Sequence, residues 1–393
     1  MIIFISDLDL RGSGYMNIAS SICQGLQHKG HEIKALGWGY EGQEHSFDFS
    51  IIPVPHRGAM SYTVTALQNL IKLGLDIDVI ITALDIPLQL GLLQTKGPKD
   101  IPYFGIFPVE SGPLTKTWAA GMMSANERFT ISKWGTKQAN LASAPSHYIE
   151  IGLNTEVWRR PSAEEREKLR GSLGLGPDDF YVLTVADNHE RKHLSAAVQA
   201  LSKAKKDVNL FWTLVSRIEF RAGWNLHDLT SDYGIADVFM PFERGLAFRR
   251  LWSLYAAADA FLLTSKAEGL CMPILEAMSV GVPVIATDCT AITEHLEDGR
   301  GFLVPSEYQE QGVWGNSWRH FIDTDLAAGS IVELAEMKDD DRQEMIEKAH
   351  KYVVDRDPDE AANLLDTYIQ KYKDKKRNHV KEKAKEAAKV AIL

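Results

Sequence analysis

The chain of 393 residues has few cysteines, no surplus of basic residues and no long apolar run. Its three cysteines are too few for a disulfide framework or a thiolate metal cluster, and such a number is typical of a reducing compartment. Asp and Glu outnumber Lys and Arg by 53 to 43, which argues against nucleic acid as a partner. No apolar stretch reaches the roughly 18 residues that a membrane-spanning helix needs. We therefore expect a cytoplasmic protein.

Short β-rich runs alternate with helix-length segments along most of the chain. Since strands separated in this way form parallel sheets, the pattern predicts an α/β protein with doubly wound sheets. The alternation pauses at residues 153–161, where we set the boundary between an N-terminal domain (1–155) and a C-terminal domain (156–370). The predicted strands are 2–5, 32–36, 79–82, 103–107, 128–132, 148–151, 181–185, 210–215, 260–264, 284–286 and 302–304.

The last 23 residues, 371–393, form a basic tail that carries nine Lys or Arg against three Asp or Glu. The whole chain has a net charge of -10, so the rest is strongly acidic. A basic segment of this kind can contact an anionic membrane surface. We interpret the tail as a peripheral membrane or partner contact, with a solvated helix end as the alternative.

The most informative segment, residues 268–278, follows the predicted strand 260–264. Pro273 and Gly281 mark the start and end of a short helix. Backbone N–H groups before a helix N-terminus bind phosphate or sugar hydroxyls, and a carboxylate can accept two hydrogen bonds from a sugar diol. Glu268 and Glu276 could therefore hold two parts of one extended ligand, although Glu276 could equally be an ordinary helix residue. The residues predicted to offer the N–H groups are Gly269, Leu270, Cys271 and Met272.

Glu268 and Glu276, with seven residues between them, resemble the paired-glutamate motif of the retaining glycosyltransferases of family four. Residues 254–260 and 282–305 resemble the family's segments on either side of that motif, and residues 151–158 resemble its interdomain stretch. The resemblance covers roughly residues 1–310. It implies the B-type glycosyltransferase fold, in which two Rossmann-like domains face each other across a cleft. The N-terminal domain would bind the acceptor and the C-terminal domain the nucleotide-sugar donor.

A second candidate site lies between the strand 181–185 and its helix. Family resemblance makes Lys192 the ligand of the donor's diphosphate, and Arg191 a further donor-binding residue. The alternative is a pair of cations on a solvated loop. Many relatives have an Arg following a Gly near this strand end, whereas this chain has Ala186 and Asp187. We expect Arg191 or Arg217 to supply the missing charge.

Two loops of the N-terminal half complete the predicted site. Gly12 and Gly14 flank Ser13 in a loop that resembles the family's glycine loop, where the backbone can approach a ligand closely. A full dinucleotide fingerprint would need a third Gly where this chain has Asn17, which argues against a nicotinamide enzyme. Several relatives have a His after the strand 103–107, but Pro108 stands there. We therefore assign the catalytic carboxylate of this strand end to Glu110, with an ordinary loop residue as the alternative.

The sequence thus predicts a retaining glycosyltransferase that moves a sugar from a nucleotide-diphosphate sugar to an acceptor hydroxyl without metal or cofactor. Its predicted catalytic residues are Glu268, Lys192 and Glu110. Two alternatives stay open: another sugar-nucleotide or phosphorylase-type enzyme on the same fold, and a non-catalytic subunit. The base, the sugar and the acceptor (carbohydrate, lipid-linked or protein) are not specified by the sequence.

Overall fold

The computed structural model describes residues 1–12, 14–94, 101–220 and 222–390. Ser13 of the glycine loop and residues 391–393 of the basic tail lie outside this part of the chain. The described residues form two parallel sheets, each covered by helices, together with one antiparallel hairpin. This confirms the predicted α/β fold with two Rossmann-like domains.

The N-terminal sheet has seven parallel strands in the spatial order β3-β2-β1-β4-β5-β6-β7. Its first strand is a continuous apolar run that is buried on both faces, as expected for a central strand of a parallel sheet. The strands are β1 (Ile2–Asp7), β2 (Ile33–Trp38), β3 (Ser50–Val54), β4 (Val79–Ala83), β5 (Tyr103–Phe107), β6 (Glu127–Thr130) and β7 (His147–Tyr148). The helices between them are α1 (Gly14–His28), α2 (Ala59–Lys72), α3 (Ile86–Gln94), α4 (Lys116–Met122) and α5 (Lys133–Leu141).

The C-terminal sheet repeats this order with six parallel strands, β10-β9-β8-β11-β12-β13. Its strands are β8 (Phe180–Val185), β9 (Leu210–Ser216), β10 (Phe239–Glu243), β11 (Ala260–Leu263), β12 (Val284–Thr287) and β13 (Phe302–Val304). Its helices are α6 (Ala163–Ser172), α7 (Leu194–Ala204), α8 (Leu226–Asp232), α9 (Phe248–Ala257), α10 (Met272–Val280), α11 (Thr290–Leu296), α12 (Thr324–Glu336) and α13 (Asp339–Val354). Gly281 ends α10 in the left-handed region at φ 87°, a conformation that glycine adopts without strain.

Three features differ from the sequence-based division of the chain. The edge strands β3 and β10 lie where the sequence predicted no strand. An antiparallel hairpin of β14 (Ser306–Gln311) and β15 (Trp318–Ile322) follows β13, where the sequence predicted no strand. The last helix, α14 (Glu360–Val390), runs without a break across the predicted boundary between residues 370 and 371.

Helix α14 returns to the N-terminal domain and packs there, although the sequence assigned its first turns to the C-terminal domain. Tyr372 contacts the ring of Phe104 and donates a hydrogen bond to Glu127 (3.1 Å), and Asp366 pairs with His31 (2.7 Å). Lys373 and Lys376 of the predicted tail pair with Asp78 and Asp76, so part of the tail's charge is already neutralised by the chain itself. None of the described helices has the length and apolar character required to cross a bilayer.

Candidate functional site

The candidate site lies between the carboxyl ends of the two sheets. Both sheets reverse their strand order at the central strand, between β1 and β4 and between β8 and β11, and ligands of doubly wound domains bind at such points. Glu110 follows β5 of the first domain. Arg191 and Lys192 follow β8, and Glu268 follows β11. The residues predicted as catalytic therefore come from facing edges of two different domains.

Glu268 is the centre of a buried ion-pair network. Its Oε2 accepts a hydrogen bond from Arg191 Nη1 (2.8 Å) and its Oε1 accepts one from Lys192 Nζ (2.5 Å), while only 5% of the residue is exposed. Burial alone would raise the pKa of Glu268, but the adjacent Arg191 and Lys192 outweigh it and hold the pKa well below its usual range. Glu268 is thus a carboxylate at neutral pH.

Arg191 connects this network to the N-terminal domain. Its Nε lies 3.0 Å from Glu110 Oε2, so the guanidinium bridges carboxylates of both domains. Burial would lower the pKa of Arg191, but Glu110 and Glu268 outweigh it and raise that pKa. The other oxygen of Glu110 accepts a hydrogen bond from Arg319 of β15 (3.2 Å). Pro108 lies in van der Waals range of the Gly269 loop, so the family's His position is next to the donor loop even without a His.

The loop 269–272 leads directly into α10, and a buried histidine holds it in place. Cys271 precedes the helix in the left-handed region at φ 70°, and Met272 is the first helical residue. Burial lowers the pKa of His295 to about 3, so its imidazole is neutral and donates from Nε2 to the carbonyl of Leu270 (2.6 Å). This contact from α11 fixes the loop whose N–H groups were predicted to bind the donor.

Glu276 lies one turn into α10 and is not part of the ion-pair network. Only 3% of the residue is exposed. Its Oε2 accepts a hydrogen bond from the Tyr255 hydroxyl (2.9 Å), and its Oε1 accepts one from Asn17 Nδ2 of the N-terminal domain (3.3 Å). Burial raises the pKa of Glu276 to about 7, although the hydrogen bond from Tyr255 opposes the shift. Glu276 is therefore not a surface residue of α10, because this carboxyl group is buried where the two domains meet.

Asp187, which replaces the family's Arg, points away from the network. It forms a two-point ion pair with Arg217, with contacts of 2.6 and 2.5 Å. Burial would raise the pKa of Asp187, but Arg217 outweighs it and lowers that pKa. Of the two arginines considered as substitutes, Arg191 lies in the candidate site and Arg217 neutralises Asp187.

The glycine loop borders open space at the cleft. A side-chain carbon built on Gly12 or Gly14 would meet no other atom within 4 Å, so both residues leave room for a ligand. The nearby Asp9 accepts hydrogen bonds from Arg11 (2.9 Å) and Arg244 (3.1 Å). Within the described ranges, no group of three or more His, Cys, Asp or Glu is arranged to hold a metal ion.

Sequence reasoning missed several residues that the fold brings to this site. They are Tyr15, Asn17, Asp85, Tyr255, His295 and Arg319. Asp85 lies two residues after β4, and this position after a strand was the signal by which the sequence could have pointed to it. Its carboxyl accepts a hydrogen bond from the Tyr15 hydroxyl, and burial raises its pKa.

Part of the chain is similar to a known family and to known proteins. Residues 165–315 match the family model described as glycosyl transferases group 1. The chain is 28% identical over 182 residues to the D-inositol 3-phosphate glycosyltransferase of Paenarthrobacter aurescens (strain TC1), an alignment that covers 45% of this chain and 42% of that protein. The chain spans half or less of the length of the first curated relatives that it matches.

Two solved structures have the same fold. HepE of Anabaena, solved in complex with UDP and glucose, superposes with a TM-score of 0.72 at 16% identity and covers 94% of this chain and 100% of its own. WaaG, a glycosyltransferase involved in lipopolysaccharide biosynthesis, superposes with a TM-score of 0.69 at 16% identity and covers 93% of this chain and 99% of its own. The B-type glycosyltransferase fold expected from the sequence is therefore confirmed. The chain therefore has this fold, and its residues 165–315 are similar to glycosyl transferases group 1.

Proposed function

We propose that the protein transfers a sugar from a nucleotide-diphosphate sugar to an acceptor hydroxyl, with retention of the anomeric configuration and without a divalent metal. The observation that carries the proposal is the partly buried group of Glu268, Arg191, Lys192 and Glu110, which joins the two domains at the carboxyl ends of their sheets.

The two cations of this group fit the diphosphate of a donor. Arg191 and Lys192 now neutralise Glu268, and a diphosphate that enters the cleft would share these cations with the carboxylate. Charge develops on the leaving diphosphate in the transition state, and fixed positive groups in a water-poor site stabilise it. Lys192 and Arg191 therefore bind the donor and assist departure of the nucleoside diphosphate.

The remaining donor contacts follow from the positions of the two glutamates. Glu276 is buried beside the nucleotide end of the proposed site and accepts hydrogen bonds from the ribose hydroxyls. Glu268 holds the transferred sugar, and the N–H groups before α10 face the diphosphate. HepE, a structural neighbour, binds UDP and UDP-glucose, which supports a nucleotide sugar as the donor class.

Metal independence rests on how the charges of the site are arranged. A metal clamp needs carboxylates that are available to the ion next to the donor phosphates. The carboxylate of Asp9, just after β1, is not available to a metal ion because Arg11 and Arg244 occupy both of its oxygens. On the donor side, Arg191 and Lys192 supply the positive charge instead.

The acceptor binds on the N-terminal side, where Glu110 orients its hydroxyl or stabilises the developing sugar cation. Retention of configuration is implied by the family resemblance. It corresponds to a same-face reaction with an oxocarbenium-like transition state, in which the leaving diphosphate accepts the proton of the attacking hydroxyl. In this reaction the C1–O bond to the diphosphate breaks as the bond to the acceptor oxygen forms.

A calorimetric screen of UDP, GDP and ADP, followed by assays with the sugar nucleotides of the base that binds, tests the proposal. We expect micromolar to millimolar binding, slow donor hydrolysis, and transfer with an unchanged anomeric configuration by NMR. Product formation that requires inorganic phosphate would instead identify a phosphorylase. Absence of both binding and hydrolysis would contradict the proposal and favour the non-catalytic subunit.

A further inference from the structure

The β14–β15 hairpin belongs to the C-terminal domain but forms hydrogen bonds with the acceptor-side loop of the N-terminal domain. The backbone N–H of Trp318 donates to the carbonyl of Gly112 (2.9 Å), and Ser317 Oγ donates to the carbonyl of Pro113 (3.3 Å). Ser317 is fully buried by these contacts. The hairpin therefore fixes residues 110–113, the loop that carries Glu110.

The turn of the hairpin packs against α4. The rings of Trp314 and Trp118 meet edge to face with centroids 5.8 Å apart. Gly315 lies so close to Trp118 that a side-chain carbon at Gly315 would come within 2.6 Å of the ring, and its φ of 70° also favours glycine. The turn of the hairpin therefore fits closely against Trp118 of α4, where a residue larger than Gly315 would clash.

The same strand of the hairpin, β15, also contacts the donor loops. The N–H of His320 donates to the carbonyl of Lys266 (3.0 Å), two residues before Glu268. The ring of Phe321 lies 4.1 Å from Lys266 Nζ and 5.2 Å from the ring of His193, the neighbour of Lys192. One short element therefore contacts the loops of both substrates.

Arg319 is the charged residue that the hairpin directs into the site. It is 6% exposed, and its Nη1 donates to Ser111 Oγ (3.2 Å) while its Nη2 donates to Glu110 Oε1 (3.2 Å). The second oxygen of Glu110 is bound by Arg191. In the proposed reaction, however, the donor diphosphate binds Arg191. Arg319 is then the cation that stays paired with Glu110.

We propose that Arg319 is a positioning residue that holds the Glu110 carboxylate in the cleft while the donor occupies Arg191. The inference rests on the proposed function, because it gives Glu110 a part in the reaction. It predicts that Arg319 acts through Glu110 and not through binding of the nucleotide.

A double-mutant cycle tests this dependence. The variants are Arg319→Met, Glu110→Gln and the double variant, assayed by release of UDP or GDP from UDP-glucose and GDP-mannose with water as the acceptor. Each single variant should lower turnover about 10- to 100-fold, the range for loss of one charge-assisted hydrogen bond. The double variant should lose no more than Glu110→Gln alone, since the two residues form one unit. Arg319→Lys should recover part of the activity because it keeps the charge.

Two further measurements separate positioning from a structural role. The affinity for UDP or GDP should stay within about twofold of the wild type in every variant of the cycle. Glu307→Gln, a matched change at an exposed residue of the same hairpin, should leave turnover unchanged. Losses that multiply in the double variant, or an equal loss of nucleotide affinity, would overturn the role of Arg319. If the wild type released no nucleotide from either donor, the proposed function would fail with it.

Discussion

Replacing Glu276 with Gln should strengthen the fold and weaken the binding of nucleotide. The ordinary pKa of this carboxyl group is 4.5, and burial raises it to about 7 in the folded protein. Between these values the folded protein keeps a proton that the unfolded chain has released, so the free energy of unfolding falls as the pH rises. A shift of about 2.5 pKa units corresponds to about 3 kcal/mol, a loss that is complete above about pH 8.

The neutral amide of Glu276→Gln avoids this loss and can still accept the hydrogen bond from Tyr255. We therefore expect the variant to be up to about 3 kcal/mol more stable than the wild type at pH 8, or roughly 6–12 °C in melting temperature for a domain of this size. At pH 5 the difference should be below about 1 kcal/mol. Affinity for the nucleoside diphosphate should fall about 10- to 100-fold, because a charged hydrogen bond to the ribose is lost.

Thermal unfolding at pH 5 and pH 8, together with calorimetry of UDP and GDP, measures both effects. Glu333→Gln, an exposed carboxyl group on α12, is the control and should shift neither quantity. A variant whose stability gain is the same at both pH values would refute the assigned cause of the pKa shift. Unchanged affinity for the nucleoside diphosphate would refute the ribose contact.

The other predictions concern the donor site and the tail. Glu268→Gln should lower turnover more than nucleotide affinity, and initial rates combined with calorimetry will show whether the two effects separate. Lys192→Ala should lose about two to three orders of magnitude in turnover, while excess chelator leaves the wild type active. Activity abolished by chelator and restored by magnesium or manganese, with a mild Lys192 phenotype, would contradict this mechanism. A chain ending at Asn378 keeps the contacts of Tyr372 and Lys376 and should sediment less with anionic vesicles at low salt than the full chain. Equal sedimentation of the two chains would exclude a membrane role for residues 379–393.

Short-range sequence patterns predicted those strands whose formation depends on neighbouring residues alone. The strands at 103–107 and 302–304 have the predicted bounds, because a short apolar run between loops has few other ways to bury itself in a parallel sheet. Glu110 and Glu268 could be singled out because each lies in a loop that follows a strand, whereas Lys192 was identified by its resemblance to the family. A position directly after a strand of a parallel sheet is near the ligand edge whatever the rest of the fold does.

The parts that the sequence did not predict depend on contacts between distant segments. The hairpin strand Ser306–Gln311 is mostly exposed and has no apolar alternation, so the sequence gives no sign that it pairs with β15. In the sequence, Arg319 looks like an ordinary surface cation. Only the folded chain brings it within 3.2 Å of Glu110, some two hundred positions earlier. The same holds for Tyr255 and Asn17 around Glu276, and for the basic start of the tail, whose lysines pair with Asp76 and Asp78.

The return of α14 to the first domain has a consequence for how the protein is made. The surface of the N-terminal domain around Phe104 and Phe129 is covered by Tyr372 and Tyr368, which are synthesised only after the C-terminal domain. During translation, this apolar face of the N-terminal domain stays uncovered until the whole C-terminal domain has emerged from the ribosome. A stop codon or proteolytic cut shortly before Glu360 would therefore uncover this face of the N-terminal domain, although the cut itself lies beyond the C-terminal domain in sequence.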